Sequence, residues 1–344
     1  MALSNKQTDE IKDHLDNCKN PLFFFDDDQD GLCAFLLLYR YKKEGHGIVV
    51  KTSPKIGDLV LNKVNEYAPD KVFILDVAAT ETDFLEQIKV PVVWIDHHGQ
   101  SKIGNAHYYN PRISKPEDNH PTSFMCYNVV KQDLWLATLG CVADWFVPKF
   151  INEFREEYPE LINISYKNPG DIIYKSKLGK LIKIFSFILK GRHKEVMVSV
   201  KILTRVKSPY EILNQATPEG KYICKRYEEA NNDYVPILKD ALDNATMTKE
   251  NFIVYVYADN KTSFTNDISN EVMYRHPKKI ILIAREKNEE MKCSLRSTKI
   301  NLIPIIDKAL AGLNGYGGGH ENACGMNIKK YDFEEFIKRF KNLV

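Results

Sequence analysis

Val92-Val93-Trp94-Ile95-Asp96-His97-His98-Gly99 runs four apolar residues straight into an acid and two adjacent imidazoles. A short apolar run of this kind reads as a buried strand. The three polar side chains then stand at a strand's carboxyl end, which is where open α/β sheets bind their ligands. The segment has companions. Leu22-Phe23-Phe24-Phe25 runs into Asp26-Asp27-Asp28-Gln29-Asp30-Gly31, and Lys71-Val72-Phe73-Ile74-Leu75 runs into Asp76. Three strands of one parallel sheet would bring their acids to a common edge.

Around these runs the first 146 residues alternate strand-like and helix-like patterns. Strands are expected at 22–25, 48–52, 71–75 and 90–95. Helices are expected at 32–44, stopped by Gly45, and at 57–67, 80–87, 121–131 and 134–143. Such alternation predicts a parallel sheet covered by helices on both faces. From 147 to 250 charged helical segments dominate, at 172–190 and 236–242, and this stretch reads as a helical connector or insertion. Strand patterns return at 252–257, 279–284 and 291–296, with helices at 267–274, 303–313 and 332–340. Residues 251–344 therefore read as a second, smaller α/β domain.

The 344-residue chain is 44% hydrophobic and 27% charged, with a net charge of +2, an ordinary globular composition. No apolar run reaches the roughly 18 residues of a membrane span. The polar N-terminus lacks the apolar core of a signal peptide, so an intracellular, cytoplasmic protein is expected. Seven scattered cysteines with no C-x-x-C pair argue against a zinc–thiolate site and a disulfide framework. Near-neutral charge means that any nucleic-acid surface must be local.

The acids at 26, 28 and 30 match the opening of a calcium loop, but that loop needs a bidentate Glu at its twelfth position. Leu37 stands there. Four acids within five residues repel one another and are best tolerated around a bound cation. Asp76 alone would read as a helix cap; its weight comes from its placement beside the other strand ends. Asp144 closes the small-residue helix 134–143, where an acid is disfavoured by the helix dipole unless a cation offsets it. Oxygen ligands with one or two imidazoles and no thiolate suit Mn²⁺ or Mg²⁺. The number of carboxylates suits a pair of ions about 3.5–4 Å apart. In the C-terminal part, Gly317-Gly318-Gly319-His320 allows backbone N–H groups to approach an anion, with a flexible loop as the competing reading. Arg296 and Ser297 end a strand and could hold a phosphate, or could be a surface arginine on an edge strand.

The combined motifs resemble the DHH phosphoesterase superfamily over most of the chain. They are residues 26–31, Asp76, Asp96-His97-His98, residues 140–144, and the glycine-rich 317–320 of a C-terminal DHHA1-type domain. The resemblance implies a two-domain hydrolase of phosphoric esters with its active site in the cleft and two divalent ions, usually Mn²⁺. It implies that Asp28 and Asp76, with Asp26, hold one ion, and that Asp30, Asp76, His97 and Asp144 hold the other. His98 and His320 would contact the scissile phosphate. Asp96 would orient His97 or its strand, and Arg296, Ser297 and Gly317 to Gly319 would help to bind substrate.

Nano-RNase and pyrophosphatase branches of the superfamily carry a His where this chain has Phe24, and the D-x-D-x-D-G form resembles the RecJ-like exonucleases. The motifs are expected to stand without the extra OB-type module of bacterial RecJ, and the chain looks more like archaeal RecJ-type nucleases, whose relatives include the GINS-associated nuclease. The expected function is a single-strand-specific exonuclease that releases 5′-mononucleotides from DNA, RNA or both by a two-metal mechanism. Tyr108, Tyr109 and Tyr316 are candidate base platforms, and the Lys-rich stretch 175–192 is a candidate strand-binding face with a solvated helix as its competitor. Two alternatives stay open: a nano-RNase or 3′-phosphoadenosine phosphate phosphatase, and a replisome factor that docks on GINS.

Overall fold

The uninterrupted apolar runs of the first strands decide the architecture. In a computed structural model, residues 2–50, 58–78, 82–99, 104–164, 166–258 and 262–344 are described. Lys51 and Thr52 of the second expected strand, Gly57 of the following helix and Thr80 and Glu81 of the next lie outside them.

The chain divides into two compact units, Met1–Tyr227 and Glu228–Val344. The first begins with α1 (Asn5–Asp16), β1 (Pro21–Asp26), α2 (Gln29–Lys42), β2 (His46–Val50), α3 (Asp58–Tyr67), β3 (Lys71–Leu75), α4 (Thr82–Gln87), β4 (Val92–Ile95) and β5 (His107–Tyr109). It continues with helices α5 (Thr122–Val130), α6 (Leu134–Ala143), α7 (Ile151–Glu157), α8 (Pro169–Lys175), α9 (Lys177–Ile188), α10 (His193–Leu203) and α11 (Pro209–Leu213), and enters α12 (Pro218–Met247).

The five strands pair in parallel in the order β2-β1-β3-β4-β5. Phe23 and Phe25 of β1, Phe73 and Leu75 of β3 and Val93 and Ile95 of β4 enter one core with α2, α5 and α6. Leu22 and Phe24, Val72 and Ile74, and Val92 and Trp94 enter the other, against Leu61 and Val64 of α3 and Leu85 of α4. Both faces of β1, β3 and β4 are buried, as the continuous apolar runs require. The strand order reverses between β1 and β3, the switch point at which doubly wound sheets open a crevice.

The middle of the chain shares this core. Phe154, Ile172, Leu181, Phe185 and Leu203 belong to the same cluster as Phe25 and Leu75, so residues of the expected connector up to Tyr227 pack with the first sheet. The single helix expected at 172–190 is two helices: Ser176 is extended and its Oγ accepts the Gly179 N–H at 3.2 Å, capping α9. The helix expected at 236–242 is part of the 30-residue α12, which carries Pro236 internally.

The second unit holds β6 (Phe252–Tyr257), α13 (Thr265–Arg275), β7 (Ile280–Lys287), β8 (Glu290–Arg296), α14 (Ile303–Leu310), β9 (Gly315–His320), β10 (Ala323–Lys329) and α15 (Lys330–Lys341). Its sheet runs β6-β7-β8-β10-β9, parallel only between β6 and β7. Leu282, Cys293, Leu295, Met326 and Ile328 pack against Ile306 of α14 and Phe336 and Phe340 of α15. All seven cysteines are buried and unbridged. Among the described residues no helix is long and apolar enough to cross a membrane.

Candidate metal centre

Register aligns the acids. Phe25 is paired with Leu75 and Leu75 with Ile95, so Asp26, Asp76 and Asp96 follow side by side at the carboxyl ends of β1, β3 and β4. The chain then turns sharply into α2. Asp28 is its N-cap, with Oδ1 accepting the Gly31 N–H at 2.9 Å. The helix thus starts at Gln29, three residues before the apolar periodicity begins, because the cap and not the first leucine sets its start. A side chain at Gly31 would bring Cβ within 2.8 Å of the Asp26 nitrogen and 2.9 Å of its carbonyl oxygen, so this close approach requires glycine.

Asp30 is buried in the first turn of α2 and reaches across to α5. It accepts the Thr122 N–H at 2.7 Å and the Ser123 N–H at 3.0 Å, and Ser123 Oγ donates to it as well. α5 has no capping side chain of its own, so Asp30 satisfies two of its orphan donors from another helix. Gly140 of α6 makes room for this: a Cβ there would lie 2.5 Å from Ser123 Oγ and 2.9 Å from Cys33 Cβ.

Asp76 has φ +63°, a left-handed backbone that is uncommon for a residue with a side chain. Its N–H is held by the Ile95 carbonyl at 2.9 Å and its Oδ1 accepts from Thr122 Oγ1 at 3.0 Å. Oδ2 is buried with no hydrogen-bond partner among the described residues, as is Oδ1 of Asp26. His97 Nε2 lies 3.3 Å from Asp76 Oδ1 and 3.7 Å from Asp144 Oδ2. One ligand atom each from Asp76, His97 and His98 fall within 4.8 Å of one another, and so do one each from Asp30, His97 and Asp144.

Asp96 is fully buried and serves His98. Its Oδ1 lies 2.7 Å from His98 Nδ1, while Oδ2 accepts from Tyr108 Oη at 3.1 Å and from Asn110 Nδ2 at 3.4 Å. Asn110 Nδ2 also donates to the His98 carbonyl at 2.9 Å. Asp96, expected to orient His97 or its strand, bonds to His98; both imidazoles come near Asp76, His97 Nε2 at 3.3 Å and His98 Nδ1 at 3.9 Å from its Oδ1.

Burial and mutual repulsion dominate the electrostatics. Burial, then the Asp28 charge, pushes the Asp30 carboxyl up to about 7, against the hydrogen bonds from Ser123 and Thr122. Burial and neighbouring carboxylates drive Asp26, Asp76 and Asp144 upward as well. Burial lowers His98, but its hydrogen bond to Asp96 and the surrounding acids outweigh that and leave it raised. Unpartnered buried carboxylate oxygens, clustered acids and one facing imidazole form an oxygen-rich donor set for a divalent cation. The residues present fit such an ion.

The remaining expected residues lie in the second unit. Gly317, Gly318, Gly319 and His320 are part of β9, an edge strand paired with β10, and not a flexible loop. Arg296 lies on β8, an interior strand, and is 8% exposed. Its Nε donates to Asn270 Oδ1 at 2.5 Å, Nη2 to Asn266, and Nη1 to the Leu295 carbonyl at 2.7 Å, so the surface-arginine reading does not hold. Ser297 is buried, and its Oγ accepts from the Lys299 and Ile300 N–H groups at 3.1 and 3.2 Å. Tyr108 is committed to Asp96, Tyr109 is buried with its hydroxyl 3.4 Å from Glu10, and Tyr316 is exposed. Sequence reading missed Thr122, Ser123, Tyr108 and Asn110 as supports of the acids. The Pro121-Thr122-Ser123 helix start was the one local signal for the first two.

Residues 22–158 match the sequence model of the DHH family, N-terminal domain, and residues 249–344 match that of the DHHA1 domain. An uncharacterized protein of Methanocaldococcus jannaschii, MJ0988, is 24% identical over 305 residues, covering 84% of this chain and 77% of its own. Among solved structures, RecJ of Thermus thermophilus in complex with Mn²⁺ superposes with a TM-score of 0.72 at 15% identity, covering 99% of this chain. The chain spans 55% of that protein's length. An exonuclease RecJ bound to manganese gives 0.67 at 15% identity over 99% and 95% of the two chains. CDC45 of Entamoeba histolytica gives 0.53 at 9% identity over 99% of each.

Proposed function

Since this chain belongs to the DHH/DHHA1 phosphoesterases, hydrolases of phosphoric ester bonds, we propose that it is a metal-dependent exonuclease of single-stranded DNA or RNA that releases 5′-mononucleotides. One observation carries the metal dependence: a buried Asp76 oxygen with no partner, in a carboxylate that also faces His97 at 3.3 Å. Asp30, Asp76, His97 and Asp144 would hold one cation, and Asp28 and Asp76, with Asp26, a second. Mn²⁺ or Mg²⁺ suits this donor set. Bound there, such ions supply Lewis acidity toward a phosphoryl oxygen and ease the ionisation of water.

The chain's own residues do the rest. With Nδ1 committed to Asp96, Nε2 is the His98 nitrogen that would meet a phosphoryl oxygen. The raised basicity of the ring favours its charged, doubly donating form. Tyr108 and Asn110 fix Asp96 and hence the ring's orientation. Thr122 fixes the Asp76 carboxylate by donating to its Oδ1. The polymeric substrate is supported by the acid at position 26 together with the apolar Phe24, where oligonucleotide-specific branches carry a histidine.

The test is digestion of end-labelled single-stranded DNA and RNA of graded length with Mn²⁺, Mg²⁺ or chelator. Metal-dependent shortening of long strands to mononucleotides is expected. Activity confined to substrates of about two to five nucleotides would replace this reading with a nano-RNase, and activity unaffected by chelator would remove the metal from it.

A further inference from the structure

The turn that follows Asp144 carries an aromatic residue where the backbone calls for glycine. α6 ends at Asp144, and the next two N–H groups fold back, Trp145 N–H to the Val142 carbonyl at 3.0 Å and Phe146 N–H to the Cys141 carbonyl at 2.9 Å. Trp145 occupies the left-handed position of this helix stop, with φ +58°. Glycine is the usual residue there, and any side chain at such a φ is strained. The chain nevertheless places its bulkiest side chain there, next to a candidate cation ligand.

That ring is not core packing of the ordinary kind. Of the three tryptophans, Trp94 and Trp135 are 0% and 1% exposed, whereas Trp145 is half-buried. Its neighbour Phe146 turns toward His120 and Phe124, with centroids at 4.8 and 5.9 Å. Trp145 instead lies 6.4 Å from the half-buried ring of Tyr174 on α8, tilted at 57°. The α8–α9 pair is also tied to the acid loop, where Gln29 Nε2 donates to the Ile182 carbonyl at 3.5 Å. Trp145 thus directly follows the candidate ligand Asp144, and the helix pair that carries its partner Tyr174 also touches the acid loop at Gln29.

We propose that Trp145, buttressed by Tyr174, is a stacking platform for a base of the bound single strand next to the scissile phosphate. This rests on the single-strand reading above. A flat π-face accepts any base, so the platform would grip a strand without reading its sequence.

All three tryptophans emit, but Trp94 and Trp135 are buried out of reach of a base, so contact quenching on strand binding reports on Trp145. A 5′-labelled, phosphorothioate-linked oligothymidylate is titrated into the protein with Mg²⁺, following label anisotropy and tryptophan emission together, beside an abasic strand of equal length. Expected are binding of both strands, with emission quenched by the base-bearing strand alone. Trp145→Gly should fold at least as stably, since it relieves the strained φ, yet bind the base-bearing strand roughly 5- to 100-fold more weakly, as loss of one base–aromatic stack predicts. Trp145→Phe should recover most of that binding. If anisotropy rises while emission stays constant, the platform is wrong and the single-strand reading stands. If neither strand binds, the reading falls and the platform with it. A Trp145→Gly protein that melts at lower temperature would show the ring to be packing and overturn the proposal.

Discussion

The acid cluster makes a prediction about stability that needs no substrate. Asp30 titrates at about 7 in the folded chain because of burial and the adjacent Asp28 charge, whereas an unperturbed Asp titrates near about 3.9. Its folded value lies above its unfolded value, so between the two the native state binds the extra proton and stability falls as pH rises. At about 1.4 kcal/mol per pKa unit, ionised Asp30 destabilises the metal-free fold by roughly 4 kcal/mol, of which about 3 kcal/mol develops between pH 5 and pH 8. Asp26, Asp76 and Asp144 are displaced in the same direction and steepen the fall. A divalent cation binds the ionised cluster and adds about 2.7 kcal/mol at a hundredfold excess over its Kd. Urea unfolding in chelator at pH 5, 6, 7 and 8, repeated with Mn²⁺ and with Asp30→Asn, measures both effects. Wild type in chelator should lose stability across this window more steeply than Asp30→Asn, and Mn²⁺ should restore it most at pH 8. Equal slopes for the two proteins, or stabilisation by Mn²⁺ greater at pH 5 than at pH 8, would refute the reasoning.

Asp76→Asn, chosen because Asn tolerates the left-handed backbone, should remove cation binding and hydrolysis while circular dichroism stays unchanged; retained Mn²⁺-dependent activity would exclude Asp76 as a shared ligand. Asn110→Ala loosens Asp96 and the His98 ring, and kcat should fall about 10- to 100-fold, the range typical of such outer partners, with metal affinity for Asp30 and Asp144 little changed by calorimetry. Gly31→Ala forces Cβ to within 2.9 Å of the Asp26 backbone and should destabilise the fold by about 1–3 kcal/mol, read as a lower urea midpoint. Arg296→Lys discards the forked grip on Asn266 and Asn270 and should lower thermal stability; unchanged stability with weakened strand binding would instead restore Arg296 to the substrate.

The parallel sheet was legible because burial on both faces writes itself as uninterrupted apolar runs, and acids placed directly after three such runs mark one edge. The ligand candidates Asp30, Asp76 and His97 stood out for the same reason, and Asp144 because it closes a helix where the dipole disfavours an acid. What supports them was not. Thr122 and Ser123 lie more than ninety residues from Asp30, and no local pattern states which helix start a distant carboxylate will cap. The bond from Asp96 to His98 was not legible, because sequence adjacency cannot tell which of two neighbouring imidazoles a turn brings back. The middle helices looked like a connector because their exposed positions are lysines, such as Lys177 and Lys180, while Leu178, Leu181, Ile184 and Phe185 are buried in the first core.

Three strands of the second sheet were legible; β9 and β10 escaped reading for a different reason, and their register bears on two residues. A glycine run has low strand propensity, yet β9 is held by pairing with β10, which itself pairs with β8. In that ladder Arg296 is opposite Ala323 and Ala323 is opposite His320, so the two expected phosphate contacts stand in one cross-strand row. Directly paired residues share a face, and two strand spacings separate the backbones by about 10 Å. One phosphate cannot be gripped by both while the Arg296 guanidinium stays with Asn266 and Asn270 of α13. Arg296 is placed to pin that helix to the sheet, which leaves His320, at the exposed edge, as the proposed phosphate contact of the two.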